Sequence, residues 1–392
     1  MHARRILHTC FSRSWGGLEL YAVDLATLLH HRGHRVTLAC PPHSRVYVEA
    51  LQRGLALEGL DVHGYAHPLL LGRLALRLRR TGFDLIHAHV SRDLATLVPA
   101  LQLSRSSAPL VLTKSVGSYV MKRDPFHRYT YARVSRVFAI SSVIRQNVLE
   151  TTPVPPERVL TVHFPVDTAR YSPDPARRRA MRSTLGITED RVVIGFVGRF
   201  SPGKGHEDLL HAVRELIASR PITLLVVGEA SYGEEAYEAT IRQMAVALGL
   251  GEAVIFLGFR RDVEAVLDAC DLFAFPSHAE AFGMALVEAM AMELPVVSTN
   301  CDGVLDIVVD GTTGMFVNPH RPTELADALK LLIDDPGRRV AMGRAGRKRV
   351  LDLFDRRAHL AQVEQIYEEL LRESVAEPQE RPGNIGQSPG RR

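Results

Sequence analysis

Glu280 and Glu288 bracket the stretch Glu280-Ala-Phe-Gly-Met-Ala-Leu-Val-Glu288. The apolar run Asp271-Leu-Phe-Ala-Phe-Pro-Ser277 ahead of it predicts a buried strand closed by Pro276, and the spacing from Leu286 to Met292 predicts a helix. Glu280 then lies in the strand-to-helix loop. Two carboxylates this far apart on one helix differ by roughly 80° of rotation and about 12 Å of rise, so they would not converge on one atom. They suit two parts of one extended ligand, Glu280 accepting hydroxyl protons of a sugar and Glu288 those of a ribose. The helix start between them offers free N–H groups and a positive dipole end to an oxygen-rich or anionic group. A plainer account makes Glu280 a helix cap and Glu288 a solvated side chain.

A second constellation follows the apolar strand Val192-Val-Ile-Gly-Phe-Val, which empties into Gly198-Arg199-Phe-Ser-Pro-Gly203-Lys204-Gly205 ahead of a helical pattern to Leu216. The glycines allow close backbone approach, Arg199 can grip phosphate oxygens through its fork, and Lys204 adds a point charge. Such a loop suits a pyrophosphate. It nearly matches the triphosphatase loop G-x4-G-K-[ST], but Gly205 stands where a magnesium-binding hydroxyl belongs, and no later apolar strand ends in a suitably placed Asp. Near the N-terminus, the strand Arg5-Ile-Leu-His-Thr runs into Ser14-Trp-Gly16-Gly17-Leu18-Glu19 and a helical pattern on Leu20, Val23, Leu25, Leu28 and Leu29. This is another glycine loop at a helix start, without the G-x-G-x-x-G spacing of a dinucleotide fingerprint.

In this order and combination the three motifs resemble the retaining family 4 glycosyltransferases of the two-Rossmann-domain (GT-B) type, over roughly residues 4–372. Pro165-Val-Asp167 with Tyr171-Ser-Pro173, Phe256-Leu-Gly258-Phe259, Pro295-Val-Val297, Asp310-Gly311-Thr-Thr-Gly314 and Phe354 are similar to further landmarks of that family. The resemblance implies an α/β fold of two Rossmann-like domains whose parallel sheets face an interdomain cleft. It implies that Arg199 and Lys204 neutralise the donor pyrophosphate, helped by the Gly17 amide. Glu288 would bind the ribose, Glu280 with the amides of Phe282 and Gly283 the transferred sugar, and Gly258 and Phe259 would flank the base.

The mechanism expected from the resemblance retains the anomeric configuration by front-face attack, the donor phosphate taking the acceptor proton. The carboxylates then position the substrate, unlike the acid and nucleophile of retaining glycosidases. With two cations where the leaving diphosphate builds up charge and no D-x-D pair in the sequence, no divalent metal and no cofactor beyond the nucleotide sugar is expected.

One departure stands out. After the strand Pro109-Leu-Val-Leu-Thr113, many members place a His that reaches the donor sugar, whereas this chain has Lys114-Ser115. Lys114 either meets donor phosphate or an anionic acceptor, or is an ordinary strand-end lysine. Of the two histidines in Asp84-Leu-Ile-His-Ala-His, His89 is the better acceptor-side candidate and His87 reads as a packed strand residue. Without an i, i+4 spacing or a nearby Cys, the pair makes a poor metal site.

A chain of 392 residues with 46% hydrophobic content can build two cores. Apolar strands alternate with amphipathic helices in both halves, the pattern of parallel sheets covered by helices. The expected division is an N-terminal acceptor-side domain at 1–166 and a nucleotide-sugar-binding domain at 167–355. A crossover helix at 356–373 returns to the first domain, and a disordered, Pro- and Gly-rich tail fills 374–392. Cys10, Cys40, Cys270 and Cys301 follow no disulfide or metal spacing, the N-terminus lacks a signal-peptide apolar run, and no segment reaches roughly 18 consecutive apolar residues. A cytoplasmic enzyme is expected, soluble or peripheral on the inner face of the plasma membrane.

The formal charge of +4 is too small to argue for nucleic acid. Leu69-Leu-Leu-Gly-Arg-Leu-Ala-Leu-Arg-Leu-Arg-Arg80 sets Arg73, Arg77 and Arg80 against a leucine face. Such a helix either lies on an anionic bilayer or, the preferred reading, covers the first sheet. Lys114, Lys122, Arg123, Arg128, Arg133 and Arg136, interleaved with Tyr119, Phe126, His127, Tyr129 and Tyr131, suit a phosphorylated glycan or lipid-linked acceptor, or serve as solvated faces. The expected function is transfer of a sugar from a nucleoside-diphosphate donor to a glycan or lipid-linked acceptor in bacterial lipopolysaccharide or surface polysaccharide biosynthesis. The competing readings are a glycosyltransferase-like subunit without turnover, and a phosphate-loop nucleotidase.

Overall fold

A computed structural model describes residues 3–62, 68–230 and 233–376. Among them, strands β1 (Arg5–Thr9), β2 (Arg35–Cys40), β3 (Ala56–Gly59), β4 (Leu85–Ala88), β5 (Leu110–Lys114), β6 (Arg136–Ala139) and β7 (Val159–Thr161) form a seven-stranded sheet ordered β3-β2-β1-β4-β5-β6-β7. Strands β8 (Val192–Val197), β9 (Ile222–Val227), β10 (Val254–Gly258), β11 (Leu272–Phe275), β12 (Val296–Thr299) and β13 (Gly314–Val317) form a six-stranded sheet ordered β10-β9-β8-β11-β12-β13. Every pairing in the second sheet, and those from β3 across to β5 in the first, is parallel. Both sheets therefore have the doubly wound order expected of Rossmann-like folds. The order reverses between β1 and β4 and between β8 and β11, and ligands of such sheets bind outside the carboxyl ends of the strands flanking that point.

Two compact units result. One comprises Met1–Thr113, Arg123–Val137 and Leu360–Arg392, the other Lys114–Lys122 and Phe138–His359. Residues 138–166 group with the second unit, where Ser141 Oγ donates to the Ala281 carbonyl at 2.6 Å and the Ser142 amide donates to Asp306 at 2.6 Å. In the first unit the helix Arg356–Ala376 sets Glu364 against Arg32 at 3.1 Å and Tyr367 against His87. That helix runs through the start of the tail expected at 374–392, and the tail from 377 on lies outside the described residues.

Strand burial follows the parallel topology. Every residue of β9 and β11 is buried, so these strands read as continuous apolar runs rather than alternating ones. In the second unit the start of β11 is fixed by charge: the almost fully buried Arg182 donates to the Ala269 carbonyl at 3.0 Å and pairs with Asp271 at 2.7 Å, and Asp271 accepts the Val193 amide at 2.7 Å. The expected helix near residues 69–80 spans Pro68–Thr81, buries Leu74, Ala75 and Leu78, and packs against the helix Leu94–Ser104. Its Arg73 and Arg77 reach Glu58 at 3.5 and 3.2 Å.

Candidate functional site

Strands β8 and β11 are neighbours in register, Leu272 beside Ile194 and Phe273 beside Gly195. Their carboxyl ends emit the two loops singled out from sequence, Gly198–Gly205 and 276–283, so adjacency at the switch point brings Lys204 and Glu280 together from 76 residues apart. The Nζ of Lys204 donates to Oε2 of Glu280 at 2.6 Å, with both side chains mostly buried. Arg199 on the same loop is exposed.

Backbone contacts lock the two loops. The His278 amide donates to the Gly203 carbonyl at 2.8 Å. Gly205 has φ of 75°, and a Cβ there would stand 2.0 Å from the Pro276 carbonyl oxygen, so only glycine lets the loops approach this closely. Gly205 is also the N-cap of the helix His206–Ile217 and supplies no side-chain cap, which leaves first-turn amides for another acceptor.

Glu280 is held through its backbone. Its amide donates to Asp302 Oδ2 at 3.2 Å, and its carbonyl accepts the Gly303 amide at 2.9 Å. Next to it, the Ala281 carbonyl accepts Ser141 Oγ. Phe282 is buried among His163, Phe164 and Phe354, at centroid distances of 5.7, 6.1 and 5.8 Å, so its ring anchors the loop and only its backbone is left to bind. Gly283 caps the helix Met284–Ala291 with φ of 110° and no side-chain cap, and the first turn carries no acidic residue, an arrangement open to anions. The helix begins two residues before the Leu286 expected from apolar spacing.

Glu288, on that helix, hydrogen-bonds Tyr171. Burial pushes the Tyr171 hydroxyl far above its ordinary value, and the Glu288 charge pushes it the same way. Arg170 pairs with Glu264 at 2.8 Å and also feels the Glu288 charge. Tyr171 and Asp302 are the positioning residues that local sequence reading missed. Tyr171 appeared only as a landmark, and Asp302 carries no spacing signal toward Glu280. Gly258 closes β10 with φ of 66°, its carbonyl accepting the Gly228 amide at 2.9 Å, and Phe259 beyond it is exposed.

Lys114 is also in this unit and is buried; desolvation, and then the charge of Lys122, push its ammonium down to about 8. In the other unit, Gly17 opens the helix Gly17–His31, capped by Gly16 without a side-chain bond. His89 is fully buried against His8 and His87 rather than presented to solvent. Much of the basic and aromatic stretch is structural: Arg133 donates to the Ala108 carbonyl at 2.7 Å, Arg136 pairs with Glu373 at 2.8 Å, and Tyr131 is buried. Tyr119 is fully exposed. All four cysteines are free thiols, and three are buried. No described helix is long and apolar enough to cross a membrane.

Two family models match the chain: Glycosyl transferases group 1 over residues 177–349, and Glycosyltransferase Family 4 over residues 15–170. The D-inositol 3-phosphate glycosyltransferase of Kineococcus radiotolerans is 30% identical over 377 residues, covering 85% of this chain and 86% of that protein. Its namesake from Corynebacterium glutamicum is 33% identical over 361 residues, covering 84% and 86%. Among solved structures, Anabaena Alr3699/HepE in complex with UDP and glucose superposes with a TM-score of 0.81 at 24% identity, over 93% of this chain and 99% of that one. At that identity the likeness speaks for the fold.

Proposed function

This chain belongs to the family 4 glycosyltransferases of the GT-B type, and from that premise we propose that it moves a sugar from a nucleoside diphosphate to a glycan or lipid-linked acceptor with retention of anomeric configuration. The observation that carries this reading is the Lys204–Glu280 pair at the carboxyl ends of β8 and β11. A diphosphate laid over the Gly198–Gly205 loop meets Lys204, Arg199 and the uncapped amides of the helix His206–Ile217. Glu280 and the amides of Phe282 and Gly283 then face the sugar, Glu288 the ribose, and the backbone around Gly258 and Phe259 the base.

Chemistry follows from these placements. The acceptor oxygen attacks the anomeric carbon on the face the diphosphate leaves. The bond from that carbon to the phosphate oxygen breaks, and the acceptor proton passes to a phosphate oxygen. Lys204 and Arg199 stabilise the charge that builds on the leaving group, which is where preorganised cations act most strongly on rate. This assignment gives the divalent metal no role in the step and makes no carboxylate a nucleophile.

For the acceptor, the family resemblance and the basic, aromatic stretch from Lys114 to Arg136 favour assembly of a bacterial surface polysaccharide or lipopolysaccharide by an enzyme at the inner face of the plasma membrane. A second reading, a small phosphorylated polyol acceptor, draws on the name shared by the relatives and on the buried ammonium of Lys114, which the family's usual histidine would not supply. Transfer assays in EDTA with inositol 3-phosphate and with a lipid-linked glycan, the product's anomeric configuration read by NMR, test both. Retained product on either acceptor supports the reading and selects the acceptor; an inverted product, or turnover that requires added magnesium, contradicts it.

A further inference from the structure

Parallel pairing places His8 of β1 directly beside His87 of β4. Side chains two residues apart in an extended segment point the same way, and His89 follows His87 by two. The three ring centroids lie 4.4 to 5.3 Å apart, and all three residues are fully buried. One nitrogen from each lies within 4.8 Å of the others.

The hydrogen bonding of this cluster is incomplete in every tautomer. His8 Nδ1 and His89 Nε2 are 2.9 Å apart and share one proton. If His8 donates it, His8 Nε2 is left a bare lone pair and His89 Nδ1 an N–H; if His89 donates, the two swap. Both outer nitrogens are buried and have no partner among the described residues. Orphaned polar atoms of this kind cost about 1–3 kcal/mol each, and an ion between the two facing nitrogens would leave both outer ones as N–H groups for a buried water to complete. His87 differs, with Nδ1 at 2.5 Å from the Tyr367 hydroxyl and Nε2 at 2.7 Å from Thr113 Oγ1. Whichever of its nitrogens binds a cation, the other keeps a hydroxyl partner that fixes the ring, the outer-shell support a metal-bound histidine needs.

We propose that His8, His87 and His89 form a buried site for one divalent transition-metal ion of the zinc type. Three imidazoles and one further ligand make a common Zn2+ donor set, and a cation accepting one lone pair from each ring replaces the proton that His8 and His89 share. The ion would pin β1 to β4 at the reversal point of the first sheet. Spacing along the chain could not reveal this site, because His8 lies about eighty residues from the other two. It involves none of the residues assigned to the donor, so its failure would leave that assignment standing.

The test uses full-length protein expressed in zinc-free medium supplemented with Co2+ and dialysed against a chelator. The site predicts about one Co2+ per chain with a visible d–d band of low-coordinate cobalt. That band is lost in His8→Asn and His89→Asn and kept in His278→Ala, which disables the trio of half-buried Asp208 and His278 with exposed His320. A folded wild-type protein without the band, or a band lost in His278→Ala and retained in His8→Asn, overturns the proposal. Should the core variants fail to fold, X-ray absorption on zinc-loaded His278→Ala protein decides: three imidazole nitrogens at about 2.0–2.1 Å support the site, and fewer contradict it.

Discussion

Lys204 Nζ and Glu280 Oε2 stand 2.6 Å apart across two loops that leave adjacent strands. The two side chains are only 23% and 17% exposed, so neither charge is comfortably solvated without the other. A bound diphosphate would compete with Glu280 for Lys204 and free the carboxylate for a sugar hydroxyl.

Glu280→Gln and Lys204→Ala should each lower kcat/KM by about 10²–10³-fold, the usual effect of deleting one preorganised charge. Because the two groups touch, the double variant should lose far less than the product of the single losses. Strict multiplicativity in a double-mutant cycle would show that the pair does not act as a unit.

Gly205→Ala should cost about 1–3 kcal/mol in strained backbone alone, before relief of the contact with the Pro276 carbonyl 2.0 Å away. Gly203→Ala is the control, since its φ is 85° but no atom of the described residues stands within 4 Å of the added Cβ. Urea unfolding should rank Gly205→Ala well below Gly203→Ala, with weaker nucleotide binding; equal midpoints would show that the loops are not locked where the geometry places them.

Tyr171→Phe removes the hydroxyl that bonds Glu288. If Glu288 reads the ribose, Glu288→Gln should reduce discrimination between a nucleoside-diphosphate sugar and its 2′-deoxy analogue. Tyr171→Phe should do so more weakly, chiefly through KM. Unchanged discrimination in both variants removes the ribose role.

The legible parts of this protein are those written in local pattern. Apolar runs ending in glycine loops placed β8, β11 and their helices within a few residues, because buried parallel strands and helix starts leave strong local marks. What was not legible depends on pairing across the sheet. Nothing near Glu280 names Asp302 or Ser141 as the residues that clamp its loop, and nothing near His87 names His8. The first residue of the helix Met284–Ala291 was missed because Gly283 caps it by conformation rather than by a side chain.

Stability should fall on the acid side. His8 is held at about 3, and His206 and His359 at about 4, all through burial. Because these values lie below the unfolded 6.5, the unfolded chain protonates first, and the stability present above pH 6.5 drains away toward pH 4. Asp93 opposes this: burial raises it to about 7, so its cost is full above pH 7 and is relieved as pH falls toward 3.8. Three histidines outweigh one carboxyl in the window from 6.5 to 4. His206→Leu, which keeps an apolar group between Phe196 and Phe200, should flatten the slope by up to about 1.4 kcal/mol per pH unit, as read from denaturant midpoints at several pH values.

The central claim is that Arg199, Lys204 and Glu280 form a nucleotide-sugar site. Titration calorimetry with UDP-, GDP-, ADP- and dTDP-sugars in EDTA, on wild-type protein and on Arg199→Ala and Lys204→Ala, tests it most directly. Wild-type protein should bind one donor tightly without metal, with affinity weakened at least about tenfold in each variant while the fold is intact. No binding of any donor by folded protein, or binding indifferent to both substitutions, would contradict it.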